Sequence, residues 1–179
     1  AGLEGRFHGR LPALETEGTL TLVSPRVQGH RLGDSVEVSA RAASRPGLLR
    51  GDLEVRAVQS GRTLANAGTR IEAAGALLAL EGRGSLAGGP LWSALLPAEV
   101  ERVLDGGRLA AEGTWKARFT GVTRVAPGEA FPSLAPDALR RARGAADLDL
   151  HLRDLHLQGR LVGSLEGVRV AGHVEAGDD

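Results

Sequence analysis

The sequence predicts a mainly β protein: a curved antiparallel meander forming an open groove, folded like a taco, with one or two short helices. Three observations predict it. Apolar and polar residues alternate in run after run, which places one set on each face of a pleated strand. Glycines and prolines punctuate these runs as turns. Only two stretches carry apolar residues at helical spacing instead.

The elements follow in order. Weak strands are expected near Leu3–Gly9 and Thr16–Val23. In the next run Val36, Val38, Ala40 and Ala42 alternate with Ser35, Glu37, Ser39 and Arg41, and Leu49, Gly51, Leu53, Val55 and Ala57 do so with Arg50, Asp52, Glu54 and Arg56. A weaker strand near Thr69–Ala74 precedes Leu78, Leu80, Gly82, Gly84 and Leu86, which face away from Glu81, Arg83 and Ser85. A helical insertion is expected at about 90–104, where Leu91, Leu95, Leu96, Val100, Val103 and Leu104 recur at helical spacing, with Pro97 in a first turn and Gly106 past the end. Leu109, Ala111, Gly113, Trp115, Ala117 and Phe119 then form the apolar side of a clear strand. A second short helix is expected at about 136–143, with Asp137 in its first turn and Arg140, Arg141 and Arg143 in its last, as the helix dipole favours.

The strongest alternation comes last. Between Asp147 and Glu175 the apolar set is Leu148, Leu150, Leu152, Leu155, Leu157, Leu161, Leu165, Val168, Val170 and Val174. Its phase breaks at Arg153-Asp154 and at Glu166-Gly167. Read as two-residue turns, the breaks give three strands, with Leu150 opposite Leu157 and Asp147 near Arg160.

Composition narrows the function. The 179 residues suit a single β-rich domain, expected to be a segment of a longer protein. There is no Met, Cys or Tyr, and Trp and Phe number 2 and 3, so the apolar content is mostly Leu, Val and Ala with 26 glycines between them. Lys116 is the sole lysine, a bias that a GC-rich genome explains. The 22 basic and 22 acidic residues are interspersed, which argues against a nucleic-acid partner. The longest apolar run, Ala73–Leu80, is far short of the ~20 residues a membrane-spanning helix needs.

Candidate catalytic motifs fail on context. Gly33-Asp34-Ser35-Val36 resembles the nucleophile block of the GDSL hydrolases, but a strand and not a helix follows Ser35, and Asp149-Leu150-His151 and Asp154-Leu155-His156 are each one residue short of that family's Asp-x-x-His. Gly82-Arg83-Gly84-Ser85-Leu86-Ala87 fits a dinucleotide-binding fingerprint without the surrounding strand–helix–strand alternation. His8, His30, His151, His156 and His173 lack a metal-ligand spacing, although His151 and His156 would pair across the expected turn. The expectation is a non-enzymatic protein with no catalytic residue, no metal and no cofactor.

A sheet with one oily face must cover it. Either it closes into a sandwich or barrel, serving as a structural or adhesion module, or it curls into a trough that awaits a ligand. Small aliphatics and glycines on the inner face favour bending, and a lipid acyl chain gains ~0.8 kcal/mol per buried CH₂. The lipid-facing residues are then Leu109, Trp115, Phe119, Leu148, Leu150, Leu152, Leu155, Leu157, Leu161, Leu165, Val168 and Val170.

Three segments carry a likeness to a known family: Ala79 to Gly88 (ALEGRGSLAG), Gly106 to Trp115 (GGRLAAEGTW), and Ala145 to Leu152 (AADLDLHL) leading to Leu157–Gly163. In these the chain resembles the AsmA and TamB-like envelope proteins, the repeating β-groove group. The resemblance implies a hydrophobic groove in the cell envelope or periplasm of a diderm bacterium. It further implies phospholipid transport or outer-membrane biogenesis, beside a partner protein in the inner or outer membrane. The chain departs from that pattern in its short length and its 90–104 insertion.

Overall fold

A computed structural model describes residues 2–10, 13–27, 30–87, 89, 92, 96–105, 108–124, 133–134, 142–157 and 163–176. The chain forms β1 (Gly2–Arg10), β2 (Ala13–Val23), β3 (Arg26–Val27), β4 (His30–Arg31), β5 (Ser35–Arg45), β6 (Leu48–Gln59), β7 (Arg62–Ala74) and β8 (Leu77–Leu86). A short helical turn α1 (Ala98–Glu101) precedes β9 (Ala110–Thr120), β10 (Thr123–Arg124), β11 (Ser133–Leu134), β12 (Arg143–Leu157) and β13 (Gly163–Ala176). Nine strands make one antiparallel sheet in the order β1-β2-β5-β6-β7-β8-β9-β12-β13. Every neighbour in it is the next long strand in the chain, and β1 and β13 stay unjoined. The pairs β3-β4 and β10-β11 are separate two-stranded ribbons inside the long connections.

Turn chemistry sets the central registers. Pro46-Gly47 joins Arg45 to its partner Leu48, Ser60-Gly61 joins Gln59 to Arg62, and Gly75-Ala76 joins Ala74 to Leu77. Ser60 and Gly61 both take positive φ, 49° and 75°, the backbone of the hairpin turn whose twist matches its strands. One irregularity interrupts the β6–β7 ladder. Ala57 pairs with Ala65 but Val58 with Thr63, so Leu64 is an extra residue, a β-bulge. Its side chain is buried beside Ala57, and its carbonyl accepts the Ala87 amide outside the ladder (2.6 Å). The same bulge explains why the first half of β7 escaped the sequence reading. The apolar phase changes from Leu64 to Ala65, Ala67, Thr69 and Ile71, so no unbroken alternation spans the strand.

The C-terminal region corrects the expected register. β12 runs unbroken through Asp154, and Leu150 lies opposite Val170 and Gly113, not Leu157. Asp147 sits between Lys116 and His173, while its expected neighbour Arg160 lies outside the described residues. Both phase breaks are real, but neither is a turn. The ladder passes from Arg153↔Gly167 to Leu155↔Leu165, stepping over Asp154, whose φ is 56°. A left-handed residue inside a strand reverses the side-chain phase, so Leu155 joins Leu150 and Leu152 in one cluster. The break at Glu166-Gly167 lies at the same level of the ladder, and the two strands change phase together.

Both core clusters sit at one end of the apolar face, although Ser44 and Ala73 are also buried toward the other end. Trp92, Leu109, Ala111 and Leu155 are buried there, with Leu86, Leu96, Leu104, Leu150 and Leu152 packed on them. Trp92 and Leu96 belong to the expected 90–104 insertion, of which α1 is the described helical part, and the Trp92 indole N–H donates to the Leu109 carbonyl. A second cluster, Ala57 and Leu64 under Leu32 and Val36, shares Leu86 with the first. The Asp34 carboxylate closes that end by accepting the Ser60 amide (2.6 Å) and a guanidinium N–H of Arg31 (2.9 Å). The second expected helix falls outside the described residues except for Ala142 and Arg143, and Arg143 already opens β12.

Candidate functional surfaces

The ladder assigns each face its residues. On the apolar face Leu3, Leu20, Val38, Val55, Ala67, Gly84, Gly113, Leu150 and Val170 form one row across all nine strands. The next row is Gly5, Gly18, Ala40, Leu53, Thr69, Gly82, Trp115, Leu148 and Gly172. Large side chains in both rows lean over glycines. A Cβ on Gly82 would come within 2.4 Å of the Trp115 indole, and one on Gly113 within 3.2 Å of the Leu150 side chain.

The expected lipid-facing residues divide between two environments. Leu109 and Leu155 are 2% and 8% exposed, covered by Trp92 and its neighbours. Leu150, Leu152, Trp115 and Phe119 are half-buried. Leu148, Val168 and Val170 are open to solvent at 47%, 36% and 46%. Val174, from the same alternation, is the most open of this region at 67%. Leu161 lies outside the described residues, and for Leu157 and Leu165 only the backbone is described. The structure therefore brings Leu109, Leu150, Leu152 and Leu155 together, and leaves Leu148, Val168 and Val170 as open surface at the C-terminal edge.

The opposite face carries a feature the sequence reading missed. Arg6, Glu17, Arg41, Asp52, Arg70, Glu81, Lys116, Asp147 and His173 are successive ladder partners, one per strand. Their charges alternate across the sheet, with the basic His173 last. Ion pairs form along this row at Glu17–Arg41 (3.9 Å), Asp52–Arg70 (3.5 Å), Glu81–Lys116 (3.0 Å) and Asp147–His173 (2.6 Å). Open depressions on this face are lined by Asp52, Arg56, Arg70, Glu81, Arg83 and Lys116. At its C-terminal end Arg169 donates to both oxygens of Asp149, which holds the Asp149 carboxyl below the usual carboxylate range and raises the Arg169 pKa. Hydrogen bonds to Asp147 first and Glu175 second raise the His173 pKa above its ordinary 6.5.

The remaining motifs sit where ordinary strand chemistry places them. Ser35 is the first residue of β5, paired with Val23 and Val58. Gly82-Arg83-Gly84 lies inside β8, laddered on both sides. His151 and His156 share β12 and do not face each other across a turn, and His151 Nδ1 lies 3.7 Å from Glu112. Among the described residues no group of three or more His, Cys, Asp or Glu is placed to hold a metal ion. No helix among them is long and apolar enough to cross a membrane. No protein-family model matches the chain, and no curated protein or solved structure is significantly similar to it.

Proposed function

We propose that this chain is a non-enzymatic β-groove segment that binds or conducts lipid acyl chains in the cell envelope. One observation carries the reading: an apolar face crosses all nine strands of an unclosed sheet and stays open at Leu148, Val168, Val170 and Val174. A monomer in water gains nothing from holding such a patch exposed, and patches of this kind mark interaction sites. An acyl chain laid along the rows gains ~0.8 kcal/mol for each CH₂ it buries. The resemblance to the AsmA and TamB-like proteins points the same way and supplies the envelope setting. Among the described residues the sandwich or barrel reading lacks the second layer it requires, since the other two sheets have only two strands each.

The test is lipid extraction and native mass spectrometry of folded protein purified without detergent. Co-purifying phospholipid is expected. Leu148→Arg should remove it while the circular dichroism of the sheet persists, because a guanidinium on the open part of the rows opposes an acyl chain. Absence of lipid from the unaltered, folded protein would overturn the proposal and return the structural-module reading.

A further inference from the structure

Among the described residues β13 is the last strand of the sheet and is paired on one side only, with β12. Residues Glu166 to Glu175 are all exposed. The fourteen residues of β13 contain no proline and no lysine, two of the devices that keep a free edge from pairing. Val168, Val170 and Val174 are instead open on its apolar side, next to Leu148 of β12.

We propose that β13 is a homotypic docking edge, on which a second copy of this chain pairs antiparallel about Gly172 and joins two nine-stranded sheets into one. The register follows from matching faces and charges. Keeping both apolar faces on the same side requires a two-fold axis that passes through a residue pair, so the possible centres are few. Centred on Gly172, Val170 lies opposite Val174 and Arg169 opposite Glu175, each twice by symmetry. Centring on Ala171 would set Arg169 against His173, and centring on His173 would set two histidines face to face. Opposite charges across strands attract and like charges repel, which favours Gly172 over these two centres. Arg169 would then lie between Asp149, which it already holds, and the second copy's Glu175. A Cβ added at Gly172 would meet nothing within 4 Å, so a cysteine can stand there. A head-to-tail joint of β13 to β1 is the competing arrangement. With nine alternating strands both edges run the same way, so that joint is parallel and builds an open filament instead of a closed dimer.

Sedimentation of the full chain at micromolar concentration tests the dimer, with a mass twice the 18.6 kDa of one chain expected. Glu175→Arg sets like charges at both Arg169 contacts and should weaken association at least about tenfold with the sheet intact. Register is read by cross-linking, since the chain has no cysteine. Opposed Cα atoms of an antiparallel pair lie ~4.5–5.5 Å apart, within disulfide reach. Gly172→Cys should therefore give a disulfide-linked dimer on mild oxidation, whereas Gly68→Cys, equally roomy but on interior strand β7, should not. A monomer at all concentrations, growth of filaments, or a dimer that Gly172→Cys fails to link would each overturn the proposal. Glu175→Arg leaves the apolar face untouched, so loss of the dimer with lipid retained would separate this edge from the lipid reading.

Discussion

Three single residues carry local arguments that measurement can reach. Gly82 is the floor beneath Trp115, and its Cβ would also fall 2.5 Å from the Gly68 carbonyl oxygen. Gly82→Ala should therefore cost ~1–3 kcal/mol by overpacking, read by urea titration, and should shift the indole fluorescence as the ring is displaced. Asp154 holds a φ of 56° inside a strand, tolerable for an Asp but costly for a β-branched residue. Asp154→Val should destabilise by ~1–2 kcal/mol and Asp154→Gly should not. The third residue, His173, makes a pH-dependent contribution. Its pKa is raised by hydrogen bonds to Asp147 and Glu175, so the stabilisation is complete below 6.5 and disappears as pH rises through the higher folded-state value. An NMR titration should find the His173 midpoint above 6.5, and Asp147→Asn should lower it. A midpoint below 6.5 would contradict the pairing.

At the scale of the element, β12 shows how one strand serves two environments. Its Leu155 end is packed under Trp92, while Leu148 lies on the open rows. Leu155→Ala should cost ~2–5 kcal/mol of unfolding free energy, and Leu148→Ala less than ~1 kcal/mol, since little burial is lost where little exists. Equal costs at the two positions would mean that the open rows are covered. The alternation that revealed this strand was legible in the sequence, but its breaks were misread. A phase change looks the same in sequence whether it marks a turn or a left-handed residue within a continuing strand. Only the pairing of Arg153 with Gly167 and Leu155 with Leu165 tells the two apart.

For the whole molecule, the sheet is an interface between two chemistries. One face is aliphatic and half-covered, and the other is crossed by a row of alternating charge that gives each strand an opposite neighbour. Exposed pairs of this kind are worth little singly, ~0–1 kcal/mol. Glu81→Lys, which places a third cation between Arg70 and Lys116, should nonetheless destabilise the fold at low salt, with the loss shrinking as salt is added. No salt dependence would mean that the row contributes nothing. Because the sheet is unclosed, hydrogen exchange should be slowest in β6 to β8 and fastest at the β1 and β13 edges, apart from any protection that self-pairing gives β13.

The sequence by itself determined most of the strands and the face that each unbroken alternation turns inward, because period-two alternation is a local property of the chain. It also determined several hairpin partners: a two-residue Pro46-Gly47 turn already implies Arg41 opposite Asp52. It did not determine the charge row. The Ser60-Gly61 turn alone would pair Asp52 with Thr69 and throw every following residue of β7 onto the wrong face. Burial of the extra residue Leu64 shifts the ladder by one and restores Asp52 to Arg70. The tertiary structure likewise decided that β9 lies beside β8, and β12 beside β9, across the long connections after Leu86 and Thr120. It decided as well how far Trp92 and its neighbours cover the apolar face. Such choices rest on side chains far apart in the chain meeting in one packed end. No local pattern records that meeting, so it becomes visible only in the folded sheet.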